Sequence, residues 1–426
     1  MEEKQNFQTF QGSNSNVIKP QNELEVSAII KECYDSGISI ELYGKGSKRN
    51  IGKPTETERA LDFSEFVGVN EYLPEELYIS VKPGTPISLI EEELKKNNQC
   101  LAFEPIDFGY LFLGKSNYGT AAGHVACNIT GPRRLSAGSI RDHVLGFRGV
   151  NGRGEIIKSG GKVVKNVTGY DLSKIICGSY GTLVALTEVT FKVLPSFELN
   201  KTLVIHGLNV EQASELFEKS LSSPNNISGA SFLPIDLKCE GCTMNIEKTF
   251  QLNDLKHGGS ITALRIEGVK NSVEERINNL FKDLMISSFE TSTLDDLQSK
   301  IFWNKIKNLE MFLSNKNNIL RAVVPPSKCV LFSYLLNKLQ CKYFIDWAGS
   351  LFWIEVHDLS EEMFDNLRKK VIKLEGYISM IKSSENLPSV EEVFTINIDK
   401  FNISQNIKKS FDPKRILNPG KMYTGI

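Results

Sequence analysis

GTAAGHVACNITGPRRLSAGSIRDHVLGFRGVNGRGEIIKSGGKVVKNVTGYDLSKIICGSYGTLVALTEVTFKVLP, residues 119–195, decides the fold. The segment from Gly109 to Gly181 holds 15 of the chain's 32 glycines. Average usage of about 7% would put about five there. Such density marks tight turns, or a backbone that a ligand approaches closely. Between Lys115 and Lys174 ten Lys or Arg stand against three acids, a local +7 in a chain of formal net charge -1. Glycine-lined N–H groups in a positive field suit a diphosphate or a small carboxylate. Val144 to Val150 and Glu155 to Lys158 read as strands joined through Asn151-Gly152-Arg153-Gly154. Leu183 to Leu194 reads as a further strand, and Pro195 closes it.

Upstream, Pro20 opens a helical pattern that Gly37 terminates. Ile38 to Leu42 alternates as a strand and runs into the loop Tyr43-Gly44-Lys45-Gly46-Ser47-Lys48. Tyr78 to Val81 reads as a strand and Ile87 to Leu94 as a helix, so the opening hundred residues mix α and β layers. Downstream, Leu203 to Ile205 reads as a strand. Val210 to Leu221, Val273 to Ser287 and Leu294 to Leu313 read as helices, and apolar runs lie near Val323, Phe344 and Phe352. The domain organisation expected is a flexible N-terminal tail (1–19), a glycine-rich domain (20–197), an α+β domain (198–410) and a turn-rich C-terminal segment (411–426).

Composition excludes several classes. The 426 residues are 41% hydrophobic and 24% charged, as in ordinary globular proteins. Fifty basic residues against fifty-one acidic ones do not make a nucleic-acid-binding polycation. No apolar run approaches the roughly 18 residues of a membrane span. Eight cysteines suit a reduced cytoplasmic protein. There is no G-x-x-x-x-G-K-[ST] loop, and Gly44-Lys45-Gly46 lacks the third glycine of a dinucleotide fingerprint.

The ordered motifs GTAAGHVACNITGPRR, GSIRDHVLG and KNVTGYDLSKIICGSYGTLVALTEVTFKVLP, with FDPKRILNPGK at the C-terminus, resemble the vanillyl-alcohol-oxidase/PCMH-type FAD-binding superfamily. The fit is closest to the FAD-binding subunits of glycolate oxidase (glycolate dehydrogenase). It covers residues 20–197 and 411–426 well; within 198–410 only RAVVPPS (Arg321–Ser327) and DWAGSLFWI (Asp346–Ile354) match. The resemblance implies an α+β fold: a two-subdomain PCMH-type FAD-binding domain, then a mixed α+β cap domain, with the C-terminal tail returning to the flavin domain. By the same resemblance Gly44, Gly46, Ser47 and Lys48 cradle the FAD pyrophosphate. Gly119, Thr120, Gly123 and Asn128 form the second loop, against ribityl and flavin. Gly138, Ser139 and Asp142 form the following turn, and Gly178, Gly181, Thr182 and Val184 the last one. Asn418 and Lys421 come from the returning tail, near the isoalloxazine. The chain departs from the family pattern at Lys45, at Ala121-Ala122 and at Val184-Ala185. No His or Cys stands in the first loop, so FAD is expected to be non-covalent.

The implied activity is that of an FAD-dependent oxidoreductase acting on CH–OH groups: a subunit oxidising a small 2-hydroxy acid within a glycolate dehydrogenase complex. The implied partners are a larger flavin-containing catalytic subunit and an iron–sulfur subunit. The implied location is the cytoplasm, or the periphery of the inner membrane through those partners. Two rival readings are a free-standing 2-hydroxy-acid dehydrogenase and a non-catalytic assembly subunit. A base must take the hydroxyl proton as hydride leaves. The histidines His124, His143, His206, His257 and His357 form no local pair, so no catalytic residue is assigned. His124 reads as a hydrogen-bonded loop histidine. Arg133 and Arg134 read as a carboxylate clamp or as a salt bridge to a partner subunit. Cys239-x-x-Cys242 with Cys329 and Cys341 has the wrong spacing for zinc, and no metal site is assigned.

Overall fold

The structure is a computed structural model and describes residues 16–161, 170–234, 259–312, 317–384 and 392–426. Its first layer is a three-stranded parallel sheet, Val17–Ile18 beside Arg59–Asp62 beside Ile40–Tyr43. The helix Glu23–Ser36 covers it. Asn22 caps that helix by accepting from Glu25 N, and Gly37 ends it in the left-handed region. Val26, Ile30 and Cys33 recur at helical spacing and are fully buried against Ile40 and Leu61. Each of the larger apolar side chains gains roughly 1.5–3 kcal/mol there. The expected tail of residues 1–19 is corrected at its end. Residues 1–15 lie outside the described residues, but the β-branched Val17 and Ile18 pair with Ala60 and Leu61.

The second layer is a five-stranded antiparallel sheet in the order Val69–Leu73, Tyr78–Val81, Val184–Lys192, Val144–Asn151, Ile156–Gly160. The hairpin at its edge turns where the Asn-Gly signal lies: Asn151 Oδ1 accepts from Arg153 N at 2.9 Å and Glu155 N at 3.1 Å. The third layer is an eight-stranded sheet in the order Thr291–Leu294, Leu199–His206, Ile261–Gly268, Gly229–Leu233, Lys342–Asp346, Leu351–Val356, Asn318–Val323, Tyr377–Lys382. All its pairings are antiparallel. Sequence periodicity found Val210–Ser222, Lys270–Asp283 and Asp296–Lys307 within a few residues, and missed the helices Cys329–Lys338 and Glu361–Lys373. The helix Ile398–Phe411 crosses the expected 410/411 division. Its Lys408 Nζ donates to Thr182 O at 2.6 Å, inside the glycine-rich domain, so the chain returns there earlier than the turn-rich segment.

Four buried charges tie the glycine-rich domain to the eight-stranded sheet. Arg133 makes a bidentate pair with Glu267 (Nε–Oε2 2.9 Å, Nη2–Oε1 2.8 Å). Arg265 pairs with Glu104 through Nη1–Oε1 at 2.7 Å and Nη2–Oε2 at 3.0 Å. Glu104 also accepts from Arg133 N at 2.6 Å. Burial alone would raise the Glu104 pKa, but Arg133 and Arg265 outweigh it and hold it at about 2. Arg133 is therefore an intrachain tie. The sequence expectation of a substrate clamp or a partner salt bridge at Arg133 is corrected: its Nε and Nη2 are engaged by the chain's own glutamates and its Nη1 donates to Ala102 O.

Removing one member of such a cluster leaves uncompensated buried charge. Arg133→Met is expected to cost about 3–5 kcal/mol of stability in chemical denaturation. Glu104 has a depressed folded pKa, so its contribution is present above the unfolded value near 4.5 and is lost as pH falls toward 2. The wild-type melting temperature should drop across that window, and a variant as stable as wild type would remove the cluster's role.

Candidate functional site

The strand Ile40–Tyr43 ends at the loop Gly44 to Lys48, and this loop forms one wall of a cleft enclosing about 540 Å³ of space open to solvent. Among the described residues, no acceptor meets the backbone N–H groups of Lys45, Gly46, Ser47 or Lys48. A Cβ on Gly44 would stand 2.6 Å from Thr120 Oγ1, so only glycine allows the two loops to close together. The facing wall is the start and end of the short helix Ala121–Cys127, with Thr120, Gly123, Ala126 and Cys127 on the cleft.

Two lysines charge it. Lys48 is buried, and burial lowers its pKa to about 8. Its Nζ lies 3.4 Å from His124 Nδ1. Lys421, from the C-terminal segment, is likewise lowered to about 8, chiefly by burial, and donates to Arg49 O at 2.5 Å. Neither makes a salt bridge among the described residues, whereas Arg49 beside them is neutralised by a two-point pair with Glu41. The cleft therefore carries unpaired positive charge and free backbone donors, the donor set that a diphosphate requires.

His124 is buried, and burial followed by the nearby Lys48 charge lowers its pKa to about 3. A neutral ring donates through one nitrogen only. Nε2 lies 2.9 Å from Ile106 O, while Nδ1 lies 3.0 Å from Thr120 O and 3.4 Å from Lys48 Nζ, so both ring nitrogens are engaged whichever one carries the proton. The histidine acts as a hydrogen-bonded support, as expected, and has no free nitrogen to serve as a base. Cys127 is a thiol at the cleft floor, its pKa pushed up by burial to about 11.

The C-terminal segment returns to this place. Ile40 N donates to Ile416 O at 2.7 Å and Asn418 N to Ile40 O at 2.9 Å, a parallel bridge on the edge of the first sheet. Asn418 Oδ1 accepts from Leu42 N at 2.7 Å and its Nδ2 donates to Tyr180 O at 2.7 Å. Gly181, at φ 73°, would bring a Cβ within 2.6 Å of that Nδ2. Asn418 and Lys421 thus stand against the first loop, the end the resemblance gives to the pyrophosphate rather than to the isoalloxazine.

Of the expected site residues, Gly44, Gly46, Ser47, Lys48, Thr120, Gly123, Asn418 and Lys421 line the cleft. The others support it from behind. Gly119 packs on the His124 ring, where a Cβ would come within 2.3 Å. Asn128 caps Ala121–Cys127 and accepts from Arg141 N at 3.2 Å. Gly138 precedes a capping box in which Ser139 and Asp142 hold the helix Ile140–His143. Gly178 sits beside Asn128, Thr182 donates to Ser179 O at 2.7 Å, and Val184 packs against Gly149. Sequence reasoning missed Tyr180, which lines the cleft between Gly178 and Gly181 with φ 53°. A bulky residue inside a Gly-x-x-Gly turn was the available signal. His257, Cys239, Cys242 and part of the KNVTGYDL block lie outside the described residues.

Residues 15–160 match the family model described as an FAD binding domain. This chain is an FAD-binding flavoprotein. FAD is its cofactor, and the chain is similar to FAD-dependent oxidoreductases that act on CH–OH groups. It is 28% identical over 409 residues to the glycolate oxidase subunit GlcE of Escherichia coli, spanning 95% of this chain and 99% of the relative. It is 26% identical over 423 residues to the D-lactate dehydrogenase of Archaeoglobus fulgidus, spanning 95% and 90%. The fold is shared with 4-ethylphenol oxidase from Gulosibacter chungangensis: TM-score 0.69 at 14% identity, covering 96% of this chain and 89% of that one.

Placing the FAD diphosphate at these two lysines predicts a pH dependence for binding. Both would need to be protonated to attract it, and both lose their protons in the flavin-free protein as pH rises through about 8. FAD affinity, followed by flavin fluorescence, should be greatest below pH 8. It should fall above it by up to about tenfold per pH unit for each lysine. Lys48→Met and Lys421→Met should each weaken binding and flatten this dependence; an unchanged profile in both would place the diphosphate elsewhere.

Proposed function

We propose that this chain is the FAD-binding subunit of a glycolate dehydrogenase-type complex, oxidising a small 2-hydroxy acid to the 2-oxo acid and passing electrons to an iron–sulfur partner. The observation that carries the reading is the near end-to-end match to a glycolate oxidase subunit, over 95% of this chain and 99% of the relative. A cleft of the right charge at the matching loops supports it.

In this reading the loop Gly44 to Lys48, the Ala121–Cys127 helix and Lys421 hold the FAD diphosphate, through N–H groups and two ammonium groups. Bound FAD supplies a two-electron acceptor for the hydride that leaves the carbinol carbon. The cofactor is held non-covalently: the first loop carries no nucleophile, and burial keeps Cys127 protonated. Oxidation also needs a group to take the hydroxyl proton. Among the described histidines, both ring nitrogens of His124 are engaged, His143 is buried in the Ile140–His143 helix, and His206 and His357 stand at the ends of strands in the cap. None of them is assigned as the proton acceptor, and the larger flavin subunit is our candidate for supplying it.

No helix among the described residues is long and apolar enough to cross a membrane. Any membrane association in this reading runs through the partner subunits. The match to a D-lactate dehydrogenase supports one rival, a free-standing dehydrogenase for another hydroxy acid.

Anaerobic addition of glycolate to the purified chain, followed at the flavin absorbance band, tests the reading. Alone, the chain should keep its oxidised spectrum or bleach slowly, and it should bleach rapidly once the partner subunits are present. Rapid bleaching and dye reduction by the isolated chain would favour the free-standing dehydrogenase. No bleaching in the assembled complex would leave only an assembly role.

A further inference from the structure

Arg321 is a buried arginine of the cap sheet that the account above leaves without a task. It lies at the centre of the strand Asn318–Val323, between Trp353 and Ser379 on the neighbouring strands. It is only 9% exposed, yet its Nε has no hydrogen-bond partner and no described carboxylate pairs with it. Its guanidinium sits instead on indole faces, 5.1 Å from the centre of Trp347 and 5.9 Å from that of Trp353. Stacking contributes to holding a cation, but it does not satisfy N–H groups. An anion would complete the open Nε–H and balance the buried charge.

Its position identifies the side from which that anion comes. Trp347 donates Nε1–H to Gly131 O at 3.0 Å, a bond from the cap to the FAD-binding domain. Trp347 and Ala348 both adopt φ 51°, a costly backbone for bulky or β-carbon-bearing residues that fixes this indole at the junction. Tyr180, which lines the FAD cleft, packs against the core of the cap from the other side. Burial pushes its phenol pKa up, Cys127 adds to this, and Arg321 is close enough to oppose both. Of the neighbouring arginines, Arg133 and Arg265 are closed by Glu104 and Glu267, and Arg134 stacks on the same indole, 4.8 Å from the centre of Trp347.

We propose that Arg321 forms an anion subsite at the domain junction, beside Tyr180, that binds the carboxylate of the small acid substrate. The inference rests on the proposed function and deepens it by naming the group that recognises the acid. The ligand class follows from the chemistry. A guanidinium fork walled by two indoles offers positive charge and paired donors, which match a carboxylate group. The hydroxyl-bearing carbon next to that carboxylate would then be held on the Tyr180 side of the cleft.

The test is equilibrium binding of oxalate, a small carboxylate with no carbinol to oxidise, to the FAD-loaded chain. Binding is read by difference absorbance of the flavin and by tryptophan fluorescence, with neutral ethylene glycol as control. Wild type should bind oxalate and not ethylene glycol. Arg321→Met should lose roughly 10- to 100-fold in oxalate affinity, while keeping wild-type FAD content and oxidised spectrum. Arg321→Lys, which keeps the charge, should retain part of the affinity. If the Met variant fails to fold, the Lys variant decides, by a weaker oxalate affinity at full FAD content. Equal oxalate affinity in the variants, or no oxalate binding by wild type, overturns the subsite. Loss of FAD from a folded variant also overturns it, because Arg321 would then serve the cofactor. None of these outcomes depends on turnover, so a chain that binds oxalate through Arg321 but is never reduced by glycolate would refute the proposed reaction and leave the subsite standing.

Discussion

The side chain of Asn418 is the constraint on which the site depends. Three segments distant in sequence meet at it: the strand leading into the first loop, through Leu42 N; the last glycine turn, through Tyr180 O; and the C-terminal segment itself, through the Asn418 backbone bond to Ile40 O. Asparagine suits the place. It tolerates its φ of 41° and offers an acceptor and a donor on one short arm. Behind it, Asp412 accepts from Leu417 N at 2.8 Å and pairs with the buried Lys408, which fixes the approach of the segment. Lys421 follows three residues later and is thereby delivered to the first loop, where Lys48 already stands.

A second constraint works at the domain scale. The Glu104, Arg133, Arg265 and Glu267 cluster is buried and has no net charge, so it ties the cap to the flavin-binding domain in one arrangement. The Trp347 to Gly131 bond adds a neutral tie close by. These contacts bring the cap strand carrying Arg321 toward Tyr180, making a junction with cofactor-holding groups on one side and an unpaired guanidinium on the other. In the proposed reading the fold separates two tasks: backbone and lysines for the cofactor, and a tryptophan-framed arginine for a small acid.

Much of this was legible in the residues. Helical spacing and Gly37 marked Glu23–Ser36, and Asn151-Gly152 marked the hairpin at the edge of the five-stranded sheet. The ordered glycine motifs pointed to the cleft, which Lys48 of the first loop lines. What was missed follows from two physical causes. The helix Ile398–Phe411 escaped because its buried residue is Lys408, which no apolar periodicity reports. The fates of Arg133 and Arg321 escaped because both depend on partners from strands far along the chain. One arginine finds two glutamates and the other finds two indoles, and local sequence does not distinguish them. The basic stretch read as a positive field is likewise partly spent internally, since Arg133 and Arg148 are paired with Glu267 and Glu23.

The most direct measurement is the FAD dissociation constant of the Asn418→Ala variant against wild type, with circular dichroism to show that the fold persists. Alanine leaves Leu42 N and Tyr180 O without their partner and loosens the delivery of Lys421. The account predicts at least a roughly tenfold weaker FAD affinity in a folded protein. An unchanged dissociation constant would contradict it, because the cradle would then assemble without the junction from which it is argued to be built.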